Sequence, residues 1–142
     1  MGMTHAWERP TELPTTEFKT AVADIRDVLS QIPVKIGGFD GQGDPIFVDD
    51  HLLFNGARPG SCEPFEARRV EFDRRGRGRF WCSCKTELLP YDLSVRIALI
   101  ILKQHLRQEI RVSSDDTVAG WQKAKDLCQK LCGFGSDFSL ES

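Results

Sequence analysis

Residues 79–115 change hydrophobic period twice. Phe80, Cys82 and Cys84 alternate with Trp81, Ser83 and Lys85, the two-residue period of a half-buried strand. Pro90 then removes a ladder donor and suits a first helical turn. Asp92 follows as an N-cap or first-turn carboxylate at the positive end of the helix dipole. From Leu93 to Leu106 apolar residues cover nearly the whole circumference, and 97–102 is unbroken. This predicts a helix over 92–107 buried on several sides. The run is much shorter than the roughly 18 residues of a membrane span and is fenced by Arg96 and Lys103. Strand alternation resumes at 110–112. If strands 79–85 and 109–113 are parallel, they form a βαβ crossover with neighbouring C-terminal ends.

Before this unit, residues 1–14 hold Pro10 and Pro14 and show no period, predicting an extended strap or disordered arm. Thr15 or Thr16 caps a helix whose stripe is Phe18, Val22, Ile25, Leu29 and Ile32, ended by Pro33. The stripe is too short for a coiled coil and is assigned to the core. Short strands follow at 34–36, 46–48 and 52–54, the first two joined by the glycine-rich turn 37–45. Asn55-Gly56 signals a tight turn, and 57–64 a loop. Residues 65–72 and 79–85 read as a hairpin with its tip at 73–78. The last helix, 117–132, puts Trp121, Ala124, Leu127, Cys128 and Leu131 on one face and stops at Gly133. The expected fold is α+β: a largely antiparallel sheet of five to six strands with three helices on it. Residues 15–133 form the single domain and 134–142 a tail.

Composition narrows the class. The chain has 142 residues, about one domain. A net charge of −2 gives no global drive toward nucleic acid or anionic membrane. Five cysteines and no signal-like apolar N-terminus point to free thiols in a reducing cytoplasm.

Four features carry candidate chemistry. Cys82 and Cys84 share a strand face, and Cys128 and Cys132 lie one helical turn apart. A helix packed over that strand could bring four thiolates to a zinc, but the spacing is not that of a zinc finger. All four fall on core faces, so buried thiols are the reading adopted and no metal or cofactor is expected. His5, His51 and His105 sit in no recognisable nucleophile–base motif. The glycine loop lacks the phosphate-loop pattern and the late glutamate of a calcium loop.

The third feature is basic. Arg68, Arg69, Arg74, Arg75, Arg77 and Arg79 stand against Glu71 and Asp73, with Phe80 and Trp81 adjacent. Such a tip suits nucleic-acid phosphates. A solvated tip that protects strand edges explains it equally simply and is preferred. The fourth is a polar set around the strand-to-helix loop: Lys85, Thr86, Tyr91, Asp92, Ser114 and Asp115. These would line one ligand pocket if the two strand ends converge.

Phe54-Asn-Gly56, Phe80 with Cys84-Lys-Thr86, Pro90-Tyr-Asp92, and Ser114-Asp115 with Trp121 resemble the landmarks of a group of small uncharacterised bacterial α+β proteins. The resemblance covers residues 34–132. It implies a shared fold and brings no activity with it. The sequence-level reading is therefore a non-enzymatic cytoplasmic binding or accessory module, with a protein partner or a second copy as candidate partners. A small enzyme or ligand binder at 85–92 and 113–115 is the first alternative, and a nucleic-acid binder through the arginines the second. No membrane association is expected.

Overall fold

The computed structural model describes residues 2–141. Met1 and Ser142, which end the expected arm and tail, lie outside the described residues. The chain runs β1 (Thr4–Pro10), α1 (Thr15–Leu29), β2 (Ile36–Gly37), β3 (Ile46–Val48), β4 (His51–Gly56), β5 (Phe65–Arg68), β6 (Arg79–Lys85), α2 (Asp92–Leu106), β7 (Arg111–Ser114) and α3 (Gln122–Cys132). Short 3-10 turns precede β7 and α3. The α+β class holds. The strands form two antiparallel sheets, one ordered β6-β1-β7 and one with β4 between β5 on one side and β2 and β3 in the other ladders. No helix among the described residues is long and apolar enough to cross a membrane.

The first sheet corrects the N-terminal expectation. Residues 4–10 are its central strand, not a strap or disordered arm, with β1 antiparallel to both β6 and β7. The missing sequence signal has a physical cause. The inward positions of β1 are His5, Trp7 and Arg9, all buried, and two of the three are polar. A strand that buries histidine and arginine shows no hydrophobic alternation. β6 and β7 run in the same direction as expected of a crossover, but β1 separates them, so no ladder is parallel.

The predicted hairpin is also corrected. β5 pairs with β4, while β6 joins the other sheet, so 65–72 and 79–85 belong to different sheets. Asn55-Gly56 ends β4 and is not a tight turn. The Asn55 side chain accepts from the Cys62 and Gly56 amides and donates to the Phe39 and Cys62 carbonyls, tying two loops to the end of β4. Gly56 packs so closely that a Cβ would meet the Gly60 carbonyl and the Tyr91 ring.

The helix stripes behave as their periods demand. Phe18, Val22, Ile25 and Leu29 of α1 are buried, as is nearly all of α2. α1 and α3 both pack on α2, which explains why α2 is apolar around its whole circumference. Gly133 ends α3 at φ 80° and donates to the Cys128 and Gln129 carbonyls, a left-handed stop.

The sheets meet at two places. Trp7 of β1 lies 4.9 Å from Phe65 of β5. Residues 11–13 and 69–71, which follow β1 and β5, exchange backbone bonds from Leu13 to Arg69 and from Glu71 to Thr11. Arg9 braces this seam. Only 1 % exposed, it donates to the carbonyls of Pro10, Thr11, Arg68 and Arg69 and lies over the Phe80 ring. Burial lowers its pKa, yet an arginine so surrounded by carbonyls remains a cation. Replacing Arg9 by Met removes these donors and leaves buried carbonyls unpaired. Urea unfolding of Arg9→Met is expected to show a loss of about 3 kcal/mol; a loss within experimental error would mean that the seam does not need the guanidinium.

Candidate functional site

The strand ends and the start of α2 converge on one buried carboxylate. Asp92, the first residue of α2, accepts at Oδ1 from His5 Nε2 (2.7 Å) and from the Thr86 hydroxyl (2.5 Å). At Oδ2 it accepts from Arg96 Nε (2.6 Å), one helical turn on. Arg96 continues to Asp116 Oδ2 (2.7 Å) and the Gly120 carbonyl (3.0 Å), and its guanidinium stacks 5.2 Å above Trp121. His5 meets the edge of Trp121 at 5.2 Å. A Cβ on Gly120 would collide with the Asp116 carboxylate, so this approach requires glycine.

Hydrogen-bond logic assigns the imidazole. An ionised Asp92 can only accept, so Nε2 of His5 carries a proton. Ser114 Oγ, 2.8 Å from Nδ1, accepts from the Asp116 amide and is free to donate its own proton to Nδ1. The result is a continuous chain, Ser114–His5–Asp92–Arg96–Asp116, linking β7, β1, α2 and the turn before α3.

Electrostatics agree. Burial works to raise the Asp92 carboxyl, but the bonds from His5, Thr86 and Arg96 outweigh it, and the group lies below the usual carboxylate range. The Arg96 hydrogen bond likewise holds Asp116 low. His5 and Thr86 are fully buried and Asp92 is 7 % exposed. The cluster's donors and acceptors face one another.

The expected ligand residues therefore separate. Thr86, Asp92 and Ser114 come together. Asp115 accepts from the Thr4 amide instead. Lys85 points outward and pairs with Glu87 at 3.0 Å. Tyr91 is buried beside another loop, donating to the Glu63 and Lys85 carbonyls. His5, Arg96 and Asp116 were missed. The Asp92–Arg96 spacing inside an apolar helix was the available signal; nothing local marked His5.

The cysteines form no tetrad. The main contacts of α3 are with α2 and α1, not with β6, which carries Cys82 and Cys84. Among the described residues no group of three or more His, Cys, Asp or Glu could hold a metal ion. All five thiols are free, and burial pushes Cys82 up to about 11 and Cys84 and Cys128 up to about 12. Such thiols are protonated near neutrality and make poor nucleophiles or ligands.

The arginines divide as well. Arg68 of β5 pairs with Glu66, and Arg69, just past β5, with Glu12. Arg74, Arg75 and Arg77 stand exposed on loop 73–78 with no ion pair among the described residues. Asp73 closes that loop by accepting the Arg75 and Gly78 amides. Arg79 crosses the outer face of the first sheet to Glu8 (3.2 Å) and the Glu109 carbonyl (3.0 Å).

That outer face carries Thr4, Ala6, Glu8 and Pro10 of β1, Arg79, Trp81, Ser83 and Lys85 of β6, and Arg111 and Ser113 of β7. Trp81 is 54 % exposed at mid-strand, and Phe72 beside the arginine loop is 83 % exposed. Glu8, Asp73, Arg75, Arg77, Arg79, Phe80 and Trp81 line an open cleft of 610 Å³. The class is thus an α+β domain of two antiparallel sheets with one sheet face bare. No family model, curated protein or solved structure matches the chain.

Both cluster carboxyls are depressed on folding, so their stabilisation is full above the ordinary aspartate range and is lost as pH falls through their lower folded values. Unfolding free energy should fall with acidification below about pH 4. Asp92→Asn should cost about 3–5 kcal/mol at neutral pH by leaving Arg96 and His5 facing an amide, and should flatten that acid limb. Urea titrations across pH test both; an unchanged limb would remove Asp92 from the linkage.

Proposed function

We propose that this protein is a non-enzymatic cytoplasmic binding module. Its binding surface is the bare face of the β6-β1-β7 sheet with the arginine loop 73–78, and its partner is anionic. The observation that carries this reading is Trp81, half exposed in the middle of a strand, in one cleft with Arg75 and Arg77, which have no ion pair among the described residues. Scattered apolar residues on a surface need no explanation, but a large exposed aromatic lining a basic cleft marks an interaction site. The polar cluster supports the non-enzymatic part, because its central groups, His5, Thr86, Asp92 and Arg96, are buried and its members are bonded to each other. The five free thiols suit a reducing compartment.

The chain's net charge is −2, so a neutral-pH heparin column should retain it only through a local basic site. Retention at low salt is expected. Arg74→Glu, Arg75→Glu and Arg77→Glu together should abolish it with the melting temperature unchanged. A wild-type protein in the flow-through would refute the proposal.

One observation favours a small enzyme instead: the Ser114–His5–Asp92 chain. The serine meets Nδ1 and the carboxylate Nε2, the reverse of the usual hydrolase order, and the imidazole is fully buried. A fluorophosphonate probe is expected to leave Ser114 unlabelled. Labelling that disappears in Ser114→Ala would establish the enzymatic reading.

A further inference from the structure

We infer that the anionic partner is single-stranded nucleic acid, laid along the bare face with a base stacked on Trp81. This deepens the binding-module reading and rests on it. The strand register supplies the argument. Trp81 lies opposite Glu8, which pairs across to Arg111; one step further, Ala6 lies between Ser83 and Ser113. The face therefore has an aromatic platform next to a shallow floor of small side chains. Lys85 stands at one end of β6 and Arg79 at the other, with the arginine loop beyond. At roughly 3.3 Å per residue the seven-residue strand offers about 20 Å of track.

Cationic groups that follow a backbone, with an exposed aromatic between them, make up the chemistry of single-strand binding. Every base has a π-face, and its phosphates repeat along the chain. A duplex hides those faces in its stack, leaving Trp81 unused. The carboxylates of an acidic peptide would satisfy the arginines, but an anion is repelled by the negative face of the indole.

Glu8 has a distinct role on this surface. Its carboxylate holds Arg79 at 3.2 Å and lies 3.9 Å from Arg111. A phosphate must compete with it for both cations, so Glu8 weakens binding and its removal strengthens it.

The test is fluorescence anisotropy with labelled oligothymidylate and oligouridylate of about 20 nucleotides, paired with tryptophan emission. Trp7 and Trp121 are 3 % and 1 % exposed, so quenching on binding reports Trp81. Three neutralised phosphates, at a slope near 0.7 each, predict roughly a tenfold or greater loss of affinity between about 50 and 200 mM salt. Trp81→Ala should weaken binding roughly five- to hundredfold, Trp81→Phe should restore much of it, and Glu8→Gln should tighten it severalfold, all with unchanged melting temperatures. Absence of anisotropy change and quenching at low salt, with heparin retention intact, would overturn the nucleic-acid inference. The binding-module reading would then survive, and polyglutamate becomes the next probe. Loss of heparin retention as well would end both. Equal binding of duplex, insensitive to Trp81, would also overturn the inference.

Discussion

A carboxylate that stays ionised when taken out of water must be held by donors on both oxygens, and Asp92 meets that demand with groups from separate parts of the chain. His5 comes from β1, Thr86 from the loop after β6, and Arg96 from the next turn of α2. Buried ion pairs are weak evidence of net stability, because desolvation offsets much of the attraction. Their effect here is on specificity. A one-residue slip of β1 would turn His5 to the outer face and leave Asp92 and Ser114 without it. The network thus selects the register in which β1 lies between β6 and β7.

Arg9, two steps of the pleat from His5, fixes the other end of the strand. Its guanidinium gathers carbonyls that follow β1 and β5, holding the two sheets at the seam where Trp7 meets Phe65. His5, Trp7 and Arg9 commit the inner face of β1 to the core. The outer face inherits the small and charged alternate residues, and Trp81 and the arginines of loop 73–78 stand exposed. The exposure of this face, where the proposed binding surface lies, is a consequence of how the interior is satisfied.

This division changes the reading of the polar residues. Thr86, Asp92 and Ser114 do converge, as expected if the strand ends lie close, but a third strand enters between those ends and brings an imidazole that completes the cluster. The residues expected together at a ligand site belong to a hydrogen-bonded connection between four elements. The arginines, which resembled an ordinary hairpin tip, stand beside an aromatic sheet face because β5 and β6 belong to different sheets.

The sequence by itself determined the elements whose order depends on local period and punctuation. The three helices, the α+β class, the buried α2, the strand 79–85 and the stop at Gly133 all follow from spacing within a few turns of chain. Tertiary structure decided the rest. β1 was illegible because its inward positions are histidine, tryptophan and arginine, and polar residues lose their apparent preference for water only when distant partners satisfy them. His5 lies 87 positions from Asp92, and Arg9 59 from Arg68. No local pattern records which distant carbonyl or carboxylate will meet a buried donor, and that pairing placed the first strand at the centre of its sheet.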